Sequence, residues 1–195
     1  MEEFNISKYQ EAPYLELYDY KAPKGIKSYF VNMDDGIKIR VCHWLQQGEK
    51  STGTIFLQQG HNEFIEKYYE TIQEFIDRGY SVICFDWRGQ GMSERMIDDI
   101  NKSFINDFKR HDKDLEKILE EIIDPFFPKP LIGIGHSMGG CLMLSAFHNH
   151  PKKFDYGILS APMLGFKNEN FLRTASSIMN FFKKDTDYLI GSKPN

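Results

Sequence analysis

The sequence predicts an α/β protein with a mostly parallel β-sheet, an N-terminal β-hairpin and flanking helices. Short apolar runs of β character alternate with segments in which apolar residues recur every three or four positions. The elements follow in the order β-β-β-α-β-α-β-α-β, and strand–helix alternation of this kind is typical of parallel sheets. An Asp-Gly pair ahead of the alternation indicates the hairpin.

The hairpin comes first in the chain. Residues 28–33 and 37–45 are extended runs that flank Asp34-Asp35-Gly36. Glycine accepts the positive φ that a tight hairpin turn needs, so the turn is predicted there. Residues 54–58 then form a short apolar strand.

The periodicity changes to helical at Phe64. Apolar residues continue at helical spacing as far as Ile76, and Gly79 is placed to end this first helix at its C′ position. Residues 81–85 follow directly as a continuous apolar strand, the type that is buried on both faces of a parallel sheet.

The remaining elements complete the alternation. A second helix is predicted over 103–123, ended by the proline-rich segment that begins at Pro125. Residues 131–135 form a strand, 138–149 a helix, and 156–160 one more strand.

Composition excludes several classes of protein. The 195 residues are 41% hydrophobic and 27% charged, with a net charge of −4. This balance argues against a nucleic-acid-binding protein, which would carry a basic patch. No run of 18 apolar residues is present, so no transmembrane segment is predicted.

The cysteines and the acidic N-terminus indicate a cytoplasmic protein. Cys42, Cys84 and Cys141 are an odd number with no C-x-x-C spacing, which fits neither a disulfide framework nor a zinc site. We expect them to be reduced core residues. The first residues are acidic where a secretory signal would be basic and then apolar.

The segment with the clearest chemistry is Gly135-His136-Ser137-Met138-Gly139, a G-x-S-x-G sequence between a predicted strand and a predicted helix. A catalytic serine needs its Oγ lifted clear of the sheet on a sharp turn, and flanking glycines avoid collisions with neighbouring backbone. The following helix directs its free N–H groups and positive dipole end to the same place. Ser137 is therefore the candidate nucleophile.

Four segments together resemble a known family. They are Q-Q-G-H-N-E-F at 58–64, F-D-W-R-G-Q-G-M-S at 85–93, G-H-S-M-G-G at 135–140 and L-S-A-P-M-L at 159–164. In this order and spacing they resemble the α/β-hydrolases, in particular the lysophospholipase and monoacylglycerol-lipase-like branch that includes serine aminopeptidases. The resemblance covers residues 25–165 and implies the N-terminal portion of an α/β-hydrolase fold.

The resemblance also implies an oxyanion hole made of two backbone N–H groups. These are the amides of Met138 and His61. Where relatives have His-Gly, this chain has Gln59-Gly60, a tolerable departure because the donor is a backbone group. His61 as a side-chain general base is the weaker alternative, since that histidine must approach Ser137 from another loop.

A second implication concerns Asp86 and Arg88. Both lie in the loop-like segment after the fourth predicted strand. We expect structural roles for them, because paired charges are often structural.

The family's acid and histidine are missing from this chain. The triad runs Ser…Asp/Glu…His in this fold, yet after Ser137 the only histidines are His148 and His150, at the far end of the predicted helix. Asp155 precedes its strand, at the wrong end of a parallel sheet for a site. The remaining acids, in the segment that would be the cap, are Glu169, Asp185 and Asp187.

These observations set the expected domain organisation. Residues 1–165 form the hydrolase core and residues 166–195 the start of an incomplete helical cap or lid. The sequence is therefore either a fragment, which we favour, or a protein that has lost its catalytic half.

The expected function is a serine hydrolase that cleaves carboxylic esters, with no cofactor and no metal. The resemblance implies lysophospholipids or monoglycerides as substrates, and leaves open contact with a membrane surface through the cap. The alternatives are a peptidase of the proline-aminopeptidase type and a non-catalytic half-fold completed by a partner chain. With no histidine available as base, the isolated chain is expected to show weak or no turnover.

Overall fold

A computed structural model describes residues 4–46 and 51–165. Over these residues the chain forms seven strands: β1 (Gln10–Glu11), β2 (Lys27–Asn32), β3 (Lys38–Trp44), β4 (Gly53–Gln58), β5 (Tyr80–Phe85), β6 (Leu131–His136) and β7 (Tyr156–Ser160). The helices are α1 (Tyr69–Asp77), α2 (Lys109–Ile118), α3 (Asp124–Phe126) and α4 (Met138–Asn149), with 3₁₀ turns at Ile6–Lys8 and Ile65–Tyr68.

The strands form one sheet in the order β1-β2-β3-β5-β4-β6-β7. Strand β4 pairs in parallel with both β5 and β6, and β6 pairs in parallel with β7. The hairpin strands β2 and β3 are antiparallel, and β3 joins the rest by antiparallel pairing with β5. The predicted fold class is therefore confirmed, and the ends of β4, β5, β6 and β7 meet at one edge, where parallel sheets carry their sites.

Helices cover both faces of the sheet, which gives two apolar cores. Along β3 the side chains alternate: Ile39 and Val41 pack into the core beneath α2 and α4, and Cys42 and Trp44 pack into the core beneath α1. The strands β4 and β5 are buried throughout, except for half-buried Tyr80. This confirms the interpretation of residues 81–85 as a strand buried on both faces.

Most predicted boundaries agree with the structure within one or two residues. Gly36 closes the hairpin turn with φ 85°, and Gly79 follows α1 with φ 82°. Both are backbone conformations that glycine adopts readily. The helix predicted over 138–149 and the strand predicted over 156–160 have these bounds in the structure.

The second predicted helix is wrong at both ends. Residues 103–107 are not helical, and α2 begins at Lys109, whose N–H is held by the Asp107 carboxylate at 3.0 Å. At the other end the chain continues through a π-helical turn, Leu119–Ile123, into α3. Pro125 lies in the first turn of α3, where a proline is tolerated. The spacing of apolar residues alone could not predict the contact of Asp107 with Lys109 or the tolerance of Pro125 in a first helical turn.

The cysteines and the helices bear on the other sequence predictions. Cys42, Cys84 and Cys141 are free, and the first two are buried as expected, but Cys141 is only half-buried on α4.

None of the helices within 4–46 and 51–165 has the length and apolar character needed to cross a membrane. The cap predicted over 166–195 lies outside the described residues.

Candidate active site

Ser137 occupies a sharp turn between β6 and α4. Its backbone has φ 52° and ψ −117°, and α4 begins at the next residue. A positive φ of this kind is disfavoured for a residue with a Cβ, and holding it costs about 1–3 kcal/mol. The surrounding structure must therefore hold this residue in place.

Two glycines allow the close packing around this turn. A Cβ on Gly135 would lie 2.5 Å from the Gly139 carbonyl oxygen, and one on Gly139 would lie 2.4 Å from the Gln59 carbonyl oxygen. No larger residue fits at either position without moving backbone. The first turn of α4 is thus pressed directly against the end of β4.

Backbone hydrogen bonds hold Ser137 itself. Its N–H donates to the Ser160 carbonyl at 3.0 Å, and its carbonyl accepts from the amides of Cys141 and Met163 at 3.1 and 2.9 Å. Ser137 Oγ has no hydrogen-bond partner among the described residues. The backbone is fully used while the hydroxyl remains available.

The loop after β4 brings a second backbone donor beside the serine. A Cβ on Gly60 would lie 3.2 Å from the Ser137 Cβ, so the loop runs directly past the turn. The amide of Gly60 donates to Glu63 Oε2 at 2.8 Å, and that of Asn62 donates to Gln90 Oε1 at 2.7 Å. Between them, the His61 amide has no acceptor within 4–46 and 51–165.

The Met138 amide, like that of His61, has no hydrogen-bond acceptor among the described residues. As the first residue of α4 its N–H has no intrahelical acceptor, and none of the described residues accepts from it. The amides of Met138 and His61, on the residues that follow Ser137 and Gly60, therefore both lack an acceptor in the part of the chain that the structure describes. This is the pair that the sequence resemblance indicated.

Glu63 anchors the loop that carries His61. Its Oε2 accepts from Gly60 N and from Tyr68 Oη at 2.6 Å, and its Oε1 from Lys67 Nζ at 2.7 Å. Burial would raise the pKa of Glu63, but the hydrogen bonds from Lys67, Tyr68 and Gly60 outweigh it and lower the pKa to about 2. The carboxylate is therefore ionised and holds the loop by three donors.

Asp86 is fully buried in a network of its own. Its Oδ2 accepts from Arg40 Nε at 2.8 Å and from Met92 N at 2.7 Å, and its Oδ1 accepts from Ile65 N at 3.1 Å. Arg40 also binds Glu66 through both terminal nitrogens, at 2.6 and 2.8 Å. Burial raises the pKa of Asp86 to about 6, against the lowering effect of Arg40.

The guanidinium of Arg88 is likewise held by two carboxylates. Its guanidinium donates to Asp114 at 2.7 and 2.9 Å and to Asp35 at 2.6 Å. These contacts, with those of Asp86, support the structural roles expected for both residues, because their polar atoms are committed to the framework.

The histidines do not complete a triad with Ser137. All six lie in the described ranges, and none is hydrogen-bonded to Ser137 Oγ there. His148 and His150 are at the far end of α4, and His150 Nε2 lies 3.8 Å from Glu116 Oε1. His61 has an exposed side chain without a bond to the serine.

Asp155, the acidic residue after Ser137 within the described ranges, does not lie beside the serine. The Asp155 carboxylate accepts from Leu131 N at 2.7 Å, at the amino end of β6 and so away from the turn. Glu169, Asp185 and Asp187 lie outside the described residues. No group of three or more metal-ligating side chains converges within 4–46 and 51–165.

Sequence reasoning missed two residues that shape the site. Glu63 and Gln90 each hold an amide of the loop around His61. Both lie inside segments that carry the family resemblance, which was the available signal. Their partners could not be identified because each bond depends on how the loops pack.

The architecture is that of an α/β-hydrolase. The solved carboxyl esterase from Bacillus coagulans superimposes with a TM-score of 0.68 at 18% sequence identity, covering 85% of this chain and 53% of that one. At this identity the likeness defines the fold alone. The strand-to-helix turn with Ser137 lies where the four resembling segments meet.

The chain belongs to the Hydrolase_4 family, described as serine aminopeptidase, S33, whose model matches residues 49–190. It is 27% identical over 157 residues to a probable lysophospholipase L2 of Haemophilus influenzae, covering 80% of this chain and 50% of that protein. It is 28% identical over 132 residues to the monoglyceride lipase of Rattus norvegicus, covering 67% and 41%. The chain thus spans about half the length of the curated relatives it matches.

Proposed function

We propose that the protein is a serine hydrolase that cleaves carboxylic esters, with Ser137 as nucleophile. The observation that carries the proposal is the strained serine at the β6–α4 turn, with two backbone amides beside it that have no acceptor among the described residues. The amides of Met138 and His61 form the oxyanion hole, and the turn is the nucleophile elbow of the fold.

The chemistry follows from this arrangement. Ser137 Oγ bonds to the ester carbonyl carbon, its proton passes to a general base, and the carbonyl oxygen becomes negative. The two amides and the positive end of α4 stabilise that charge. The ester C–O bond then breaks, the alcohol leaves with a proton, and water later releases the acid from the acyl-enzyme.

The proposed substrates are small monoacyl lipids. The names of two relatives, a probable lysophospholipase L2 and a monoglyceride lipase, support such esters as the proposed substrates. Residues 1–165 serve as the core in this proposal, and 166–195 as the start of a cap that covers the acyl chain and meets a membrane surface. No cofactor or metal takes part. The free cysteines favour a cytoplasmic location.

A fluorophosphonate probe tests the nucleophile. Labelling needs an activated serine, so the test uses a longer form that carries the histidine base. The probe should label that form at Ser137, and Ser137→Ala should remove the label while Ser160→Ala, in β7, should retain it. Mass spectrometry of the labelled peptide identifies the site. Labelling that persists in Ser137→Ala, or that maps to another serine, would contradict the proposal.

A peptidase is the second candidate, favoured by the family description of serine aminopeptidase. The same serine and amides serve amide hydrolysis, so the substrate decides between the two. A longer form that carries a histidine base should cleave nitrophenyl acyl esters faster than aminoacyl nitroanilides if the esterase proposal holds. The opposite ranking would favour the peptidase.

The third candidate is a non-catalytic half-fold completed by a partner chain. It is favoured by β7, the last strand of the described sheet, whose Tyr156 and Ile158 are 64% and 54% exposed. An uncovered edge strand can pair with another chain. A stable complex seen by light scattering, together with no fluorophosphonate labelling, would favour this candidate over an enzyme.

A further inference from the structure

A cavity of about 320 Å³ lies on the side of the His61 loop that is turned towards the segment after β5. We call it the Arg95 cavity. Its polar lining, which we call the wall, includes Asn62, Gln90, Arg95 and Lys102. Its exposed apolar lining, which we call the rim, includes Leu15, Phe64 and Ile100. Small-molecule sites span about 300–1,000 Å³, so the cavity is large enough for one small polar group and part of an alkyl chain.

One short loop joins this cavity to the proposed site. Asn62 lines the cavity and follows His61, and Gly60 packs against Ser137. Gln90 also lines it and accepts the Asn62 amide. A ligand in the cavity would therefore lie next to the loop that carries the His61 amide.

The two carboxylates of the wall, Glu63 and Glu66, are already hydrogen-bonded within the protein. Glu63 is held by Lys67, Tyr68 and the Gly60 amide. Both oxygens of Glu66 bind Arg40. Arg40 is shared with Asp86, so one cation serves two carboxylates there. What the contacts show is that the oxygens of Glu63 and Glu66 are already engaged by donors of the framework.

Arg95 supplies positive charge without an acidic partner. Its Nη1 donates to the backbone carbonyls of Gly91 and Ser93 at 2.5 and 3.0 Å. No carboxylate among the described residues lies within ion-pair distance of it. Its Nε is buried and has no acceptor in the described chain. A guanidinium with donors to spare is a preferred ligand for phosphate groups.

The rim has the opposite character. Leu15, Phe64 and Ile100 are 55%, 40% and 72% exposed, which is high for large apolar side chains. A cation at the wall beneath an apolar rim is complementary to an amphipathic ligand with an anionic head.

We infer that the Arg95 cavity binds the phosphate group of a monoacyl lipid substrate. The inference rests on the proposed ester hydrolase function and narrows its substrates from monoacyl lipids to lysophospholipids. The phosphate contacts Arg95, the rim covers the neighbouring methylene groups, and the loop between them directs the ester towards Ser137. A monoglyceride, which has no phosphate, makes none of the charged contacts.

Binding to the complete 195-residue chain tests this without requiring turnover. In isothermal titration calorimetry, a short-chain monoacyl glycerophosphate below its micellar concentration should bind, and the monoacylglycerol of equal chain length should bind at least about tenfold more weakly. Arg95→Gln should lower the affinity for the phosphate ligand about tenfold. Arg78→Gln changes an exposed guanidinium at the C-terminal end of α1, outside the cavity lining, and should leave binding unchanged.

A second variant covers the case in which Arg95→Gln fails to fold. Ile100 is exposed, so Ile100→Glu places a carboxylate at the rim without disturbing the core. It should weaken binding of the phosphate ligand about threefold, and Ile100→Gln should not. Equal affinity of wild type and both charge-changing variants would overturn the inference.

Two further arms separate the sources of failure. Inorganic phosphate that binds as tightly as the lipid would overturn the lipid head group as the ligand and leave a free-phosphate site. Ser137→Ala should bind the lipid like wild type. Intact binding, with no fluorophosphonate labelling of a longer form that carries the histidine base, would contradict the proposed function alone. Labelling of that form without Arg95-dependent binding would contradict the cavity assignment alone.

Discussion

Two neighbouring loops at the same edge of the sheet use their residues in opposite ways. The segment after β5, residues 86–93, is rich in charged and polar side chains, and Asp86 and Arg88 are buried with their polar atoms bonded. The turn between β6 and α4, residues 135–139, has a glycine at each end and leaves the Ser137 hydroxyl and the Met138 amide without partners among the described residues.

The difference shows that charged residues do not by themselves mark a site. Asp86 and Arg88 are the types most often assigned to catalysis, yet their bonds build the framework. Ser137 is held by backbone bonds and by glycine packing, so its functional groups remain available. Available donors at a strained backbone position are the better indication of chemistry.

The largest loss of stability should come from removing Arg40, the residue on β3 that pairs with Asp86 of the charged loop. Arg40→Met leaves the buried carboxylates of Asp86 and Glu66 without their counter-charge, and should lower the free energy of unfolding by about 3–5 kcal/mol. Arg78→Met removes an exposed pair with Glu74 and should change it by less than about 1 kcal/mol. Urea unfolding measures both. Similar values for the two variants would remove the contrast between framework and surface charge.

The glycine-packed turn should respond to added volume. Gly139→Ala places a Cβ 2.4 Å from the Gln59 carbonyl oxygen and should destabilise by about 3 kcal/mol. At Gly165 a Cβ meets nothing within 4 Å, so Gly165→Ala is the matched control and should be nearly neutral. Thermal unfolding compares them. A tolerated alanine at position 139 would show that the turn is looser than described.

Glu63 links the two types of loop, since it is a charged anchor of the loop beside the serine. Its pKa of about 2 lies below the ordinary 4.5, so its stabilisation is complete above pH 4.5 and is lost as the pH falls towards 2. The loss should be on the order of 2 kcal/mol, and Glu63→Gln should lack it.

Urea unfolding at pH 5.5, 4.5 and 3.5 measures this slope. Glu74→Gln is the control, because the ion pair of Glu74 with Arg78 lies in solvent and contributes little. An acid slope that is the same in wild type and Glu63→Gln would refute the role of Glu63 as the anchor.

The smallest effect should have the opposite sign. Ser137→Gly relieves the positive φ and should stabilise the protein by about 1 kcal/mol. In a longer form that carries the histidine base it should also remove fluorophosphonate labelling. Ser137→Ala keeps the strain and should lose the label without gaining stability. Differential scanning calorimetry separates the two variants. Equal melting temperatures would mean that the serine is not strained.

Sequence reasoning succeeded where glycines and apolar alternation mark local structure. It located β6, α4 and Ser137 because G-x-S-x-G requires a tight turn whatever surrounds it. It failed at the start of α2, where the Asp107 carboxylate and the packing of Phe104 against Gly89 decide the boundary. It also missed Glu63 and Gln90, because their partners are brought together by neighbouring loops.

The sequence by itself determined the order of the elements and the serine at a strand-to-helix turn, since these depend on backbone propensity and short-range spacing. The α/β-hydrolase class came from the resemblance of four segments to that family. Only the tertiary structure decided which polar groups are used up and which stay available. Arg40 meets Glu66 and Asp86 across long stretches of chain, Gly60 meets Ser137, and Arg95 lines a cavity without an acidic partner in the described chain. Those outcomes depend on which distant segments pack together, and burial then sets the free energy of each contact.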